Sequence, residues 1–185
     1  MNHALIAGVD EVGRGAWAGP MVAAAVILND QIAGLADSKT LSASKRQELG
    51  DIIFTQALAW AIAEISAQEI DSVGMAEANR LVMRRAIIML KIQPVLVRID
   101  GFSCGIDLPE EVIIKGDVTM PEISAASIIA KVYRDNLMLR LHHTDSRYAF
   151  DQHVGYGTAL HKERLMMHGP SQNHRSSFSP IKNLV

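Results

Sequence analysis

The order of apolar and polar positions gives the first map of the chain. Ala4–Asp10 is a short apolar run that ends on an acid and is followed by another, Glu11. Met21–Leu28 is apolar throughout, and Leu58–Ile65 is nearly so. Runs of this length between glycine and polar turns predict three buried strands. Between the second and third, Ser42 can cap a helix reaching about Phe54. Met75–Lys91 predicts a longer helix, with Ala78, Leu81, Val82, Ala86, Met89 and Leu90 on one face. Pro94 then breaks the pattern, Val95–Asp100 reads as a fourth strand, and Glu111–Lys115 as a fifth. Strands in early succession, then alternating with helices, indicate an α/β layer fold with a mixed sheet.

A further helix is expected to open near Thr119. Thr119-Met120-Pro121-Glu122 fits a capping box with proline in the first turn. Ile123, Ala126, Ala130, Tyr133, Leu137 and Leu141 form its apolar stripe. Ser124, Ser127, Lys131 and Arg134 form a second stripe, which suits either a phosphate backbone or plain solvent. A last helix is expected over Thr158–His168, ending at Gly169-Pro170.

Composition removes several classes of protein. The longest apolar run has eight residues, too short to cross a bilayer. Met1-Asn2-His3 lacks a basic leader, so no secretory signal is expected. A single cysteine, Cys104, excludes an internal disulfide framework and suits a reducing, cytoplasmic setting, with the thiol as buried filler. The net charge of −2 hides an asymmetry. Residues 131–185 hold eight Lys/Arg against four Asp/Glu and six of the seven histidines, whereas residues 1–130 are acidic. An acidic centre beside a phosphate-gripping surface would look like this, and so would ordinary variation. With 185 residues and no linker, one domain is expected, 1–185, with a C-terminal helical segment from about 145.

Acids at strand ends carry the chemistry. Asp10 and Glu11 close the first strand, Asp100 closes the fourth, and Asp117 follows the fifth. Ligand sites of α/β sheets lie beyond the carboxyl ends of strands. If the first and fourth strands are parallel neighbours, Asp10 and Asp100 meet there with Asp117 close by. Such crowding calls for a hard divalent cation, Mg²⁺ or Mn²⁺, since no Cys/His set favours Zn²⁺. Gly13-Arg14-Gly15 would then lie on the rim, where glycines admit close approach and Arg14 supplies a charged donor. Asp37-Ser38-Lys39 is a polar loop cluster. Gly155-Tyr156-Gly157 offers an aromatic for stacking on a sugar or base, or a core anchor.

Together, Asp10-Glu11-Val12-Gly13-Arg14-Gly15, Asp37-Ser38-Lys39, Ile99-Asp100-Gly101, Lys115-Gly116-Asp117, the run from Pro121 to Lys131 (PEISAASIIAK) and Gly155-Tyr156-Gly157-Thr158 resemble the motifs of ribonuclease HII. The resemblance runs from residue 5 to about 180. It implies a ribonuclease H-like three-layer fold: a mixed five-stranded sheet with the second strand antiparallel, flanked by helices, plus the C-terminal helical segment. It implies Asp10, Glu11, Asp100 and Asp117 as the catalytic metal-site acids, holding two Mn²⁺ or Mg²⁺ ions. Gly13, Arg14 and Gly15 would read the ribose 2′-hydroxyl, and Tyr156 would stack on the following deoxyribose. Ser38, Lys39, Ser124 and Lys131 would line the substrate groove, with Glu122 near the metal site.

The implied activity is endonucleolytic cleavage of the RNA strand in RNA–DNA hybrids, including single ribonucleotides in duplex DNA, as in primer removal and ribonucleotide repair. The partner is the nucleic acid, with a monomer expected and no membrane or obligatory protein partner. Val154, Thr40 and Ser176 depart from residues common in the family, each removing a basic side chain that could meet phosphate. Two rivals stand beside this reading. Ribonuclease HIII carries an additional N-terminal domain, for which a first strand at Ala4 leaves no room. A silent hybrid-binding module would have no use for carboxylates facing phosphates.

Overall fold

The computed structural model describes residues 5–35 and 41–184. The Asp37-Ser38-Lys39 cluster and Thr40 lie outside the described residues. Strands β1 (Ile6–Val12), β2 (Met21–Ile27) and β3 (Ala59–Ile65) form an antiparallel meander. Strands β4 (Leu96–Asp100) and β5 (Glu110–Ile113) add parallel to β1, giving the order β3-β2-β1-β4-β5. This is the expected mixed five-stranded sheet with an antiparallel second strand.

Helices cover both faces. Helices α1 (Ala43–Gln56) and α5 (Pro121–Thr144) bury Leu49, Ile53, Ala125, Ile128 and Ile129 against Val22, Ala24 and Val26 of β2. On the opposite face, α3 (Met75–Ile88) packs Ala78, Val82, Met83 and Ala86 on Ala7, Val9, Ala23 and Ala25. Alternate residues of β2 thus serve two separate cores, as a central strand requires. The alanines of β2 and β3 keep the layers close.

Ser42 caps α1 as expected, accepting from the Lys45 amide at 3.3 Å. The capping box expected at Thr119 is not formed. Residues Gly116–Thr119 make a short helix of their own, α4, and the Thr119 hydroxyl turns back to the Lys115 carbonyl. Met120 stands at the cap of α5 without a side-chain bond, and Pro121 occupies the first turn. The chain's real capping box is Ser66 with Glu69, opening α2 (Ala67–Val73), a helix the periodicity did not show.

Beyond α5, a 3₁₀ turn at Ser146–Tyr148 leads into α6 (Phe150–His153), α7 (Ala159–His168) and α8 (Ser179–Lys182). Their core comprises Tyr148, Phe150, Leu165 and Ile181 with Ala18 and Met138. Among the described residues, no helix is long and apolar enough to cross a membrane.

Candidate active site

The acids are placed by the sheet. Gly8 pairs with Arg98 and Val9 with Ile99, so the parallel register carries Asp10 and Asp100 to neighbouring strand ends. Successive residues of a strand face opposite ways. Asp10 shares the α5 face with Gly8 and accepts from Ser127. Glu11 turns to the α3 face, where the Asn79 amide donates to it at 3.3 Å. The two adjacent carboxylates therefore diverge, held by different helices. Asp100 accepts from the Gly116 amide at 2.7 Å, which brings Asp117, the next residue, to the same end of the sheet. Asp117 is fully buried in α4.

Asp10, Glu11 and Asp100 open into one cavity of about 420 Å³, shared with Val12, Ser127 and Lys131 and with Arg46 of α1. Asp117 is not among its walls. Burial, then the charges of Glu11 and Asp100, push the Asp10 carboxyl well above its ordinary range. Burial also raises Glu11, against the pull of Asn79 and Arg14. Among the described residues, no three His, Cys, Asp or Glu side chains are already gathered into a cation cage. Three of the four acids share a cavity mouth, in a looser arrangement than the expected four-carboxylate cluster.

Nearby ion pairs fix the frame. Arg98, two residues before Asp100 on the same face, binds Glu122 at 2.7 Å and Glu111 at 2.8 Å. Glu122 is thus committed to holding the first turn of α5 on β4. Lys131 pairs with Asp135 at 2.8 Å and lies 6.0 Å from the Tyr156 ring, so the cavity and Tyr156 are contiguous. Gly13 is buried, whereas Arg14 and Gly15 are exposed, and the Arg14 guanidinium lies 5.3 Å over Phe102.

The expected stripe of Ser124, Ser127, Lys131 and Arg134 is not one surface. Ser127 and Lys131 line the cavity. Ser124 is buried, its hydroxyl donating to the Leu35 carbonyl, and Arg134 is fully buried under main-chain carbonyls. Ser124, expected in the substrate groove, and Arg134, expected on a phosphate-facing or solvated stripe, are thus both interior positions. Ser176, one of the three departures named above, and its neighbour Ser177 bind the two oxygens of Asp71. Cys104 is buried as expected, and burial together with Glu110 pushes its thiol up to about 12. Asn79 and Arg46 are the site residues that the sequence did not single out, and Ser127 was read there only as part of the stripe.

A mixed sheet of this order, helix layers on both faces and carboxylates at the ends of β1 and β4 define a ribonuclease H-like protein. The crystal structure of ribonuclease H2 from Pyrococcus horikoshii matches the fold with a TM-score of 0.82 at 24% identity, covering 97% of this chain and 96% of that one. The family model for ribonuclease HII matches residues 7–181. Ribonuclease HII of Delftia acidovorans is 50% identical over 98% of this chain and 78% of its own length. That of Burkholderia pseudomallei is 48% identical over 96% of this chain and 85% of its own. The chain belongs to the ribonuclease HII family, and its activity is that of a ribonuclease H endonuclease acting on RNA–DNA hybrids.

Proposed function

We propose that the chain cleaves the RNA strand of hybrids and single ribonucleotides embedded in duplex DNA, leaving 5′-phosphate and 3′-hydroxyl ends. The observation that supports this most directly is the shared cavity of Asp10, Glu11 and Asp100, faced by Lys131 and Arg46. Oxygen donors alone, with Asp10 driven toward protonation by burial and by its acidic neighbours, fit a hard cation such as Mg²⁺ or Mn²⁺. Asp10, Glu11, Asp100 and Asp117 would hold two such ions. When bound, they supply an activated water and stabilise the departing 3′-oxygen. The remaining work belongs to side chains. Ser127 and Asn79 aim Asp10 and Glu11, and Lys131 offers a charge to phosphate. Gly13, Arg14 and Gly15 read the 2′-hydroxyl, the group that separates RNA from DNA. Tyr156 stacks on the adjoining sugar, and Ser38 and Lys39 contribute to substrate binding. The protein works as a single domain and a monomer, in the cytoplasm, in primer removal and ribonucleotide repair.

A labelled duplex with one ribonucleotide, incubated with Mg²⁺ or Mn²⁺ and then with chelator, tests the proposal. Cutting beside the ribonucleotide that stops on chelation is expected; cutting that survives chelation defeats it. Asp100→Asn should lower cleavage by about 10³-fold or more while duplex binding persists. Asparagine can still accept from the Gly116 amide, so the fold should stand.

A further inference from the structure

Arg134 and Arg175 are both fully buried, and their hydrogen bonds run to main-chain carbonyls. Arg175 donates through Nε and Nη2 to Gly19, at 3.1 and 3.0 Å, and through Nη1 to Arg14 at 3.0 Å. Arg134 donates to Pro20 at 2.9 Å, Ala18 at 3.2 Å and Val154 at 2.9 Å. Four carbonyls of the segment between β1 and β2 are thereby held by two guanidiniums. The main chain adds to the clamp. The Arg175 amide donates to Trp17, Gly19 donates to Asn173, and Trp17 donates to Gly155. Gly13 has no room for a side chain because Arg134 lies against it.

Burying one guanidinium is costly, and burying two side by side is more so. Burial, then the charge of Arg134, brings Arg175 down to about 9. A planar fork that bridges separate carbonyls is something lysine cannot reproduce. At zero exposure Arg175 cannot touch a phosphate, so its place must be explained by what it holds.

We propose that Arg175, with Arg134 beside it, is a positioning residue that fixes the Gly13–Gly15 turn and so sets the preference for ribose over deoxyribose. The inference rests on the reading that this turn meets the 2′-hydroxyl. A turn free to shift would accommodate a sugar lacking that group, whereas a turn pinned at Arg14 and Gly19 penalises its absence.

The test is Arg175→Lys, made in the Asp100→Asn background so that substrate survives. Affinities for two duplexes, identical save for one ribonucleotide, are compared with Mg²⁺ present, and melting is followed alongside. The ribose preference should fall by about tenfold, with all-DNA affinity changed less than about twofold, since misplacement of a recognition group is felt selectively. The salt dependence should not change, because a buried residue releases no counterions. A preference that survives Arg175→Lys overturns the inference, and so does equal weakening of both duplexes, the mark of a general structural role. If the background protein shows no ribose preference, the reading of the turn fails and the inference falls with it. Should Arg175→Lys not fold, Phe178→Leu removes the ring lying 5.3 Å from the guanidinium and leaves its bonds. A smaller loss of the same preference is then expected, and no loss counts against the inference.

Discussion

Asp10 and Glu11 are adjacent in the chain, yet each depends on a different helix for its aim. Asn79 is fully buried on α3, and its amide donates to Glu11. Asn79→Ala removes that donor from a carboxyl whose burial already disfavours charge. The expected result is a loss of about 10–100-fold in Mn²⁺ affinity by calorimetric titration, with a matching loss in activity. Unchanged Mn²⁺ binding would show that Glu11 needs no such anchor. The acids were legible in the sequence because a charge ending an apolar strand is anomalous. Asn79 was not, and Ser127 was left between phosphate and solvent, since a polar residue inside a helix looks the same whether it faces water or a carboxylate. Arg134 and Arg175 were misread or passed over because long cations are ordinarily exposed, and their partners are carbonyls that no side-chain pattern displays.

Near the site, β1 and α5 approach each other closely. A side chain at Gly8 would run into the main chain of Glu122 and Ile123, so glycine lets the helix lie directly on the strand. That contact sets Ser127 over Asp10 and lets Glu122 reach Arg98. Gly8→Ala should cost about 3 kcal/mol or more, read as a lowered urea midpoint, because backbone cannot move aside as a flexible side chain can. A shift below about 0.5 kcal/mol would mean that α5 can lift off the sheet freely. The strands and the long helices were legible from periodicity, with ends displaced by one to three residues. The start of α5 was not. Thr119-x-x-Glu122 satisfies the capping pattern, but Thr119 closes α4, whose first residue is tied to Asp100. A tertiary bond between distant segments overrode a local signal, while Ser66 and Glu69, with the same spacing, formed the box unnoticed.

The C-terminal segment holds three buried histidines, and their hydrogen bonds determine their protonation. His161 Nδ1 must donate to the Tyr156 carbonyl, so its Nε2 accepts from His174 Nε2 at 3.1 Å. His174 then keeps a lone pair on Nδ1, which the Ser171 amide meets at 2.9 Å. His153 donates from Nε2 to Tyr148 and accepts from Gly155 at Nδ1. The network assigns all three as neutral. Burial pushes His161 and His174 down to about 4, from an ordinary 6.5. The unfolded chain therefore takes up protons below about 6.5 that the folded chain refuses until about 4. Stability should be complete above that window and fall as the pH drops through it, seen as a lower urea midpoint at pH 5 than at pH 7, with pH values set by these shifts. Asp10 and Glu11 act in the opposite sense, because their raised carboxyls bind protons more readily folded than unfolded. Asp10→Asn removes the larger opposing contribution and should steepen the fall. The loss should begin where the histidines sit, since Ala18 pairs with His174 and the Trp17 ring lies 5.5 Å from His161. Amides of Trp17 and Gly19 should exchange faster at pH 5 before β1 and β4 do. Equal midpoints at the two pH values in the Asp10→Asn protein would show that the histidines can be protonated without disturbing the clamp.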